Sequence, residues 1–305
     1  MEFHCSLCGY RGETAPLYPR RQICRCPRCR LAFYAGDGYA DPATLYTPEY
    51  FAGAEYRDYV ADKKLIQRDF ADRVEVVRRL KPAGRLLEIG CAYGFFLELA
   101  RAHWEVRGLD VAGEAVAHAR GKLGLNAEHA DFLALPEEPA GYDVICMWDT
   151  LEHLPRPVEC IRRAARWLKP GGVLAVTTND IDSRLARLRK ARWRQIHPPT
   201  HLFYFSADTL RMAVEQAGLQ TLDVDYVGYH RSFRSMAHAV FTWKGPRTAW
   251  LYEVVTLGGR IDFPVYLNLR DIMMLTARKP ARRARRPAGA GGDRPRGAAR
   301  AAAKA

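Results

Sequence analysis

A short glycine-containing stretch, LLEIGCAYG at residues 86–94, holds the first side chains that could bind a ligand. Gly90 and Gly94 allow a tight turn with close backbone approach, but Ala92 replaces the middle glycine of a dinucleotide-binding fingerprint. Two residues before the turn, the Glu88 carboxylate would repel phosphate and attract an ammonium group. Asp110, 22 residues after Glu88, can accept hydrogen bonds from ribose hydroxyls. The pattern predicts a nucleoside with a cationic, phosphate-free appendage.

Four cysteines near the start of the chain are spaced as metal ligands. They form two Cys-x-x-Cys pairs, Cys5 with Cys8 and Cys26 with Cys29, separated by 17 residues. Each pair brings two sulfurs to one turn, and four thiolates suit a tetrahedral zinc ion. Such a closed site is structural and leaves no position open for a reaction. We therefore predict a zinc ribbon that serves binding or scaffolding, with free reduced cysteines as the alternative interpretation.

Alternating strand and helix patterns surround the glycine turn. The predicted strands are 85–89, 106–109, 127–130, 143–147 and 173–177, and the predicted helices are 95–102, 114–122 and 157–168. This alternation predicts a parallel sheet with helices on both faces, and such sheets bind ligands at the carboxyl ends of their strands. Later patterns predict a helix capped by Ser206, a sixth strand in TLDVDYVGY and a seventh in DIMMLTARK.

Five segments resemble, in order, the motifs of class I methyltransferases that depend on S-adenosylmethionine (SAM). They are LLEIGCAYG, VRGLD, HADF, YDVICMWDTLEHLPRP and WLKPGGVLAVTT. SAM also meets the description of the ligand inferred above. The resemblance implies an α/β fold with the Rossmann-like seven-stranded sheet of these enzymes, its last strand antiparallel, behind a small N-terminal zinc ribbon. The cofactor-binding residues that it implies are Glu88, Gly90, Cys91, Ala92, Gly94, Asp110, Val111, Asp131, Phe132 and Trp148.

Two further stretches lie where this class of enzyme binds the methyl acceptor. DTLEHL holds Asp149, Glu152 and His153 in a spacing that resembles quinone-pathway O-methyltransferases, where these side chains have been linked to a divalent ion. HPPTHLFYFS resembles a segment of sugar methyltransferases, which implies that His201 is the catalytic base and His153 the next candidate. Thr200 replaces a supporting Glu of those enzymes, which favours O-methylation. Helix capping and structural hydrogen bonding are the alternative roles of these residues.

A basic segment, DSRLARLRKARWRQ, precedes the second of these stretches. Its five arginines are Arg184, Arg187, Arg189, Arg192 and Arg194. As an amphipathic helix or lid it would bind an anionic acceptor, such as the diphosphate of a nucleotide sugar or a lipid-linked glycan. A solvated charged face is the alternative.

Composition and charge divide the chain of 305 residues into four predicted parts. These are a zinc ribbon (1–35), an aromatic linker or lid with a helix (36–82), a methyltransferase domain with acceptor-binding inserts at about 180–205 and 230–270 (83–279), and a disordered basic tail (280–305). From residue 279 onward nine Lys or Arg and one acid give a charge of +8 out of a total of +13. No apolar run of about 18 residues predicts a membrane span, and the N-terminus lacks a secretory pattern, so we expect a cytoplasmic protein.

Three functional interpretations follow from these patterns. The first is a SAM-dependent methyltransferase of a small molecule, with an anionic sugar or glycan intermediate favoured and a quinone-type acceptor in the same class. The second is a methyltransferase of ribosomal or transfer RNA, in which the ribbon and the basic tail would bind nucleic acid. The third is a SAM-binding scaffold without catalysis. The sequence does not identify the acceptor, the methylated atom or the oligomeric state.

Overall fold

The computed structural model describes residues 3–36, 59–234, 236–237, 249–258 and 260–281. Residues 37–58 of the predicted lid and the predicted tail from residue 282 onward lie outside these ranges, as do parts of the predicted insert at 230–270. Within the described ranges, the search for helices long and apolar enough to cross a membrane finds none.

The chain begins with five short strands, and the two cysteine pairs lie in turns between them. The strands are β1 (Phe3–His4), β2 (Arg11–Gly12), β3 (Ala15–Tyr18), β4 (Ile23–Arg25) and β5 (Ala32–Tyr34). β1 pairs with β2, and β4 pairs with both β3 and β5, all in antiparallel register. The first cysteine pair lies between β1 and β2, and the second lies between β4 and β5.

An 18-residue helix, α1 (Lys63–Leu80), leads into the alternating part of the chain. Phe70, Val74 and Val77 recur at helical spacing on its buried face. The elements that follow are β6 (Arg85–Ile89), α2 (Phe95–Ala100), β7 (Glu105–Asp110), α3 (Gly113–Leu123), β8 (Ala127–His129), β9 (Tyr142–Trp148), α4 (Pro157–Trp167) and β10 (Leu168–Asn179). They confirm the predicted alternation of strands and helices.

The remaining described elements include two further strands of the central sheet, β12 and β15. In chain order, the remaining elements are α5 (Arg184–Arg189), β11 (Phe203–Tyr204), α6 (Ala207–Gln216), β12 (Gln220–Tyr226), β13 (Tyr229–Ser232), α7 (Ala249–Thr256), β14 (Pro264–Leu267) and β15 (Ile272–Arg278). Ser206 caps α6, because its side chain accepts a hydrogen bond from the backbone N–H of Thr209. β13 and β14 form a separate antiparallel pair.

The central sheet has seven strands in the order β12-β15-β10-β9-β6-β7-β8. β6 to β10 run parallel, and β15 is antiparallel to both β10 and β12. Every residue of β9 is buried, as expected for a parallel strand with both faces covered. The predicted α/β fold with an antiparallel last strand is confirmed. The strand predicted at 173–177 is longer, because β10 begins at Leu168 and its register shifts between Leu168 and Val173.

Apolar side chains pack on both faces of the sheet and leave one edge open to ligands. α1, α2 and α3 cover one face, with Phe96 and Val116 in its core. α4 and α6 cover the other face, with Ile161 and Leu210 in its core. The carboxyl ends of the parallel strands meet at the open edge, so the residues that follow them lie close together.

The N-terminal strands are joined to the large domain by a shared sheet. β11 pairs with β5, so that Phe203 lies opposite Phe33. Leu202, just before β11, accepts a hydrogen bond from the N–H of Tyr34 and donates one to the carbonyl of Glu152. The buried Tyr204 side chain lies in a core cluster with side chains of β4, β5 and the segment before β11. The cysteine-bearing strands therefore fix the position of the segment that holds His201.

The two cysteine turns have matching backbone geometry. Gly9 donates its N–H to the carbonyl of Cys5, and Arg30 donates its N–H to the carbonyl of Cys26, each at 2.9 Å. Gly9 has a φ of 71° and Arg30 a φ of 69°, both in the left-handed region. This conformation costs a residue with a side chain about 1–2 kcal/mol, so the second turn contains a strain that the first avoids.

This symmetry predicts opposite effects for two substitutions. Gly9→Ala should lower the free energy of unfolding by about 1 kcal/mol through φ alone, because a Cβ at this position meets no atom within 4 Å. Arg30→Gly should raise it by up to about 1 kcal/mol. Thermal melts of zinc-loaded protein, with the metal content measured for each variant, would check both. Destabilisation by Arg30→Gly would contradict the equivalence of the turns.

Candidate active site

A cavity of about 1050 Å³ lies at the carboxyl ends of the parallel strands. It is lined by nine of the ten predicted cofactor-binding residues, namely Glu88, Gly90, Cys91, Ala92, Asp110, Val111, Asp131, Phe132 and Trp148. The tenth, Gly94, caps α2 in a left-handed conformation with a φ of 79° and does not line the cavity. The glycine turn and the ends of three neighbouring strands thus converge as the topology predicts.

The turn after β6 brings its backbone close to the cavity. Gly90 has a φ of 80°, and a Cβ there would collide with the side chain of Thr150, so only glycine fits. Ala92, in the place where a glycine is commoner, is also left-handed, with a φ of 43°. Its N–H donates a 2.7 Å hydrogen bond to Oδ2 of Asp110. This bond ties the turn to the end of the second strand.

Asp110 has a carboxylate held in place by the backbone. Besides the bond from Ala92, its Oδ1 accepts a 2.8 Å hydrogen bond from the N–H of Ala112. Burial raises the pKa of Asp110, and the backbone N–H groups oppose that shift. The N–H of Val111 is a third backbone donor to this carboxylate, and each carboxylate oxygen has two lone pairs, so at least one lone pair remains for a ribose hydroxyl. The position and orientation fit the predicted contact with a nucleoside.

Glu88 is a buried acid at the floor of the cavity. Its Oε2 has no hydrogen-bond partner within the described part of the chain, and burial, with Asp110 second, raises its pKa well above the usual value. A buried carboxylate without a partner is costly, and a ligand ammonium group would supply both a donor and a compensating charge. The residues present therefore fit the amino-acid portion and ribose of SAM.

The end of β9 is polar and strained. Asp149 has a φ of 49°, and its Oδ1 accepts a 3.0 Å hydrogen bond from Thr177. Its Oδ2 lies 3.3 Å from Nη2 of Arg73, a residue of α1. The Arg73 guanidinium also lies 5.4 Å from the Trp148 ring. The sequence analysis did not identify Arg73 as a site residue. Its charge, next to the core residues Phe70 and Val74 of the same helix, is the signal that could have indicated such a role.

The predicted acceptor-side residues form a histidine cluster in the same cavity. The rings of His153 and His201 lie 4.7 Å apart. Nδ1 of His153 lies 3.0 Å from the carbonyl of Thr200, and Nδ1 of His201 lies 2.9 Å from the carbonyl of Gln195. Because carbonyls only accept, each ring has its proton on Nδ1. Burial lowers the pKa of His153 to about 4 and that of His201 well below its usual value, so both are neutral at pH 7.

Glu152 completes this cluster from the turn after β9. Its carboxylate accepts hydrogen bonds from Thr178 at 2.8 Å and from Asn179 at 3.3 Å. Burial, with the nearby Asp149 second, raises its pKa to about 8. Ligand atoms of Glu152, His153 and His201 all lie within 4.8 Å of one another, which suits a metal ion. The sequence predicts Asp149 as the third ligand of this ion. In the structure, His201 and not Asp149 groups with Glu152 and His153.

Arginines and aromatic residues line the side of the cavity away from the glycine turn. Of the five arginines in the predicted basic helix, Arg194 alone lines the cavity, where it lies 4.9 Å from the Tyr229 ring. The Arg231 guanidinium lies 4.6 Å from the centroid of the same Tyr229 ring. His230, between them in the sequence, also lines the cavity together with Asp69 of α1. These residues of β13 and α1 were not predicted as site residues.

The four cysteines of the ribbon converge outside this cavity. Their sulfur atoms all lie within 4.8 Å of one another, and the pairs Cys5–Cys29 and Cys8–Cys26 are each 3.6 Å apart. A tetrahedral zinc ion with Zn–S bonds of about 2.3 Å separates its ligands by about 3.8 Å. A hydrogen bond from Cys29 lowers the pKa of the Cys5 thiol to about 5. The geometry fits the predicted four-thiolate ligand set.

Comparisons with known proteins agree with this geometry. The family model described as "Methyltransferase domain" matches residues 57–224, more than half of the chain. A ubiquinone biosynthesis O-methyltransferase of Burkholderia pseudomallei (strain 1710b) is 29% identical over 163 residues, which cover 49% of this chain and 70% of that relative. The corresponding protein of Xanthomonas axonopodis pv. citri (strain 306) is 38% identical over 115 residues, which cover 35% of this chain and 48% of that relative.

Solved structures share the fold at low sequence identity. A methyltransferase from a complex with the Haloferax volcanii Trm112 methyltransferase activator superimposes with a TM-score of 0.54 at 18% identity, covering 80% of this chain and 100% of that one. A methyltransferase of Bacillus halodurans C-125 gives a TM-score of 0.51 at 15% identity, covering 70% and 100%. With the family match over residues 57–224, the chain belongs to the class I SAM-dependent methyltransferases.

Proposed function

We propose that this methyltransferase transfers the methyl group of SAM to a hydroxyl oxygen of a small acceptor. The observation that carries the proposal is one cavity that holds a nucleoside-binding half, with Glu88 and Asp110, and a second half with neutral histidines and arginines. A single cavity of this size can hold SAM and a small acceptor side by side. The curated relatives, named as O-methyltransferases of ubiquinone biosynthesis, support a hydroxyl acceptor.

The cofactor half of the cavity binds and orients SAM in this proposal. Glu88 pairs with the ammonium group, Asp110 accepts the ribose hydroxyls, and the turn at Gly90 and Ala92 lies against the amino-acid portion. Asp131 and Phe132, after β8, lie where the resemblance implies contact with adenine. Bound SAM supplies a methyl group on a positively charged sulfur, which an aligned nucleophile can displace in line. The residues present then contribute mainly alignment.

The acceptor half binds the hydroxyl and compensates negative charge. His201 and His153, the predicted catalytic residues, each have an unprotonated Nε2 in the neutral ring and can accept a hydrogen bond from the acceptor hydroxyl. Arg194 and Arg231 line the same half, and their guanidinium groups suit a phosphate or carboxylate on the acceptor. An anionic sugar or glycan, as the sequence predicts, and an anionic phenol both meet this description.

A divalent ion at the acceptor half stays a prediction. Glu152, His153 and His201 would hold it, with two imidazole nitrogens and one carboxylate as ligands. The predicted third ligand, Asp149, is engaged by Arg73 and Thr177. Such an ion would bind and polarise the acceptor oxygen.

The ribbon holds a structural zinc ion in this proposal and supports the acceptor half through β11. Cys5, Cys8, Cys26 and Cys29 are its ligands, and the nearly tetrahedral spacing of their sulfurs supports that assignment. Zinc would stabilise β5, which pairs with β11 two residues after His201. The role is scaffolding, as the closed ligand set predicts.

The cofactor assignment predicts the effect of two substitutions on binding of S-adenosylhomocysteine. Glu88→Gln removes the charge that pairs with the ammonium group and should weaken affinity about 10- to 100-fold, the worth of a charge-assisted hydrogen bond. Asp110→Ala should abolish binding. Isothermal titration calorimetry would measure both, with Glu105→Gln at the exposed amino end of β7 as the matched control. Unchanged affinity in Asp110→Ala would refute the ribose contact.

The metal assignment predicts separable effects on the two halves of the cavity. Loss of zinc from Cys26→Ser should lower methyl transfer, because β5 no longer holds β11 in place, while affinity for S-adenosylhomocysteine changes little. Elemental analysis, calorimetry and a turnover assay would measure the three quantities. Cys24→Ser, at a cysteine outside the four-sulfur cluster, is the control and should keep its metal. Cys26→Ser protein with full zinc content would contradict the ligand set.

The reaction itself is tested with a panel of hydroxyl acceptors. The panel contains catechols with and without a carboxylate and nucleotide diphosphate sugars, and methyl transfer from labelled SAM is followed by mass spectrometry. We expect a product methylated on oxygen. Among the catechols, the one with a carboxylate should be preferred over the one without. His201→Ala should abolish turnover and spare binding of S-adenosylhomocysteine. Methylation only on carbon or nitrogen, or only on RNA, would overturn the proposed reaction.

A further inference from the structure

His230, a further histidine that lines the cavity, has a carboxylate partner. Nδ1 of His230, on β13, lies 2.7 Å from Oδ1 of Asp69, on α1. The backbone N–H of His230 donates a second 2.7 Å hydrogen bond to the same oxygen. The side chains are 20% and 12% exposed, so the pair is largely screened from water. Both residues line the cavity.

The hydrogen bonds fix which ring nitrogen of His230 can react. A carboxylate oxygen only accepts, so Nδ1 of His230 must be the protonated nitrogen. In the neutral ring, Nε2 then presents its lone pair. Within the described residues, the contacts of the His230 ring are the Asp69 carboxylate and the Tyr266 ring, whose centroid is 5.1 Å away. Nε2 therefore remains available to a ligand in the cavity.

Helix geometry places this pair near the strand ends that line the cofactor half of the cavity. Asp69 lies four residues, or about 6 Å along the axis, from Arg73 on the same face of α1. Arg73 contacts Asp149 at the carboxyl end of β9, beside Trp148. The end of this strand adjoins that of β6, which carries Glu88. The pair thus stands one helical turn away from the strand ends that hold the cofactor.

The two predicted histidines are less suited to remove a proton. Nδ1 of His153 and Nδ1 of His201 each donate to a backbone carbonyl, whereas Nδ1 of His230 donates to a carboxylate. A carbonyl offers no full charge to stabilise the imidazolium that forms when a histidine accepts a proton. Asp69 offers that charge to His230.

We propose that His230 is the general base of the methyl transfer and that Asp69 is its positioning residue, an inference that rests on the proposed O-methylation. Nε2 of His230 takes the proton of the acceptor hydroxyl as the oxygen forms its bond to the methyl carbon. The carbon–sulfur bond of SAM breaks, and its electron pair neutralises the sulfonium. Asp69 holds the ring in the Nδ1-protonated form and stabilises the resulting imidazolium, whose proton later leaves to solvent.

The pair also joins a residue of the family domain to one outside it. Asp69 lies within the family match at 57–224 and His230 lies beyond it. The contact depends on β13 and its partner β14, which pack against α1 through β13. The part of the chain after β12, which the sequence predicts to be an acceptor-binding insert, therefore contributes the base of the reaction.

The test compares His230→Ala and Asp69→Asn with the wild type, using an acceptor methylated in the panel above. Loss of a general base should lower kcat of His230→Ala about 10²- to 10⁴-fold, with S-adenosylhomocysteine affinity unchanged, and added imidazole should restore part of it. Asp69→Asn should lower kcat about tenfold or more with little change in KM. His103→Ala, an exposed histidine at the opposite edge of the sheet, is the control.

A spectroscopic readout tests the positioning role apart from turnover. Nitrogen NMR of histidine-labelled protein should show His230 in the Nδ1-protonated form, and Asp69→Asn should shift it toward the other tautomer. Wild-type activity that persists within threefold in His230→Ala would overturn the inference and leave the proposed reaction standing. Absence of transfer to any hydroxyl would overturn the proposed reaction and the base with it. An unchanged tautomer in Asp69→Asn would remove the role of Asp69.

Discussion

A buried carboxylate with an unpaired oxygen determines what the edge of this sheet can bind. Glu88 ends the first parallel strand in a position closed to water, and no described residue gives its Oε2 a hydrogen bond. Neighbouring Asp110 adds a second negative group, so an anionic ligand would meet repulsion on entering. A cation offsets both charges. The selection of a sulfonium nucleoside over a dinucleotide thus depends less on the missing glycine at Ala92 than on the charge beneath the turn.

A second constraint connects the strands around the four-cysteine cluster to the acceptor half of the cavity. The pairing of β5 with β11 is short, but Leu202 bonds to Tyr34 on one side and to Glu152 on the other. Leu202 directly follows His201 in the chain. A cysteine cluster with no open ligand position can therefore influence catalysis without touching substrate, because a rigid strand sets where a histidine stands. In this arrangement the ribbon is part of the site's supporting structure and not a separate attached module.

The sequence predicts the parts of the site that follow from local order, and misses those that depend on distant contacts. Glu88 and Asp110 could be found because strands of a parallel sheet end at one edge, and the cysteines because their spacing is short and regular. The pair formed by Asp69 and His230 joins residues 161 positions apart, across elements with no common motif. Similarly, periodicity placed Arg194 among five arginines, but only packing shows which of them enters the cavity. The left-handed Arg30 gave no local signal, since arginine is rare in that conformation.

Three of the histidines that line the cavity show how environment divides one residue type between two tasks. His153 and His201 donate to carbonyls through Nδ1, so each presents Nε2 to a hydroxyl of the acceptor other than the one that reacts. His230 is partly exposed and paired with a carboxylate, so it can take up the proton that the reaction releases. Acceptor binding and proton removal then involve different histidines, and the charge that forms appears beside Asp69. Placing a new positive charge between His153 and His201 would cost the desolvation that lowers their pKa values. On this physical ground the site favours His230, which is partly exposed and lies beside Asp69, as the base over His153 or His201.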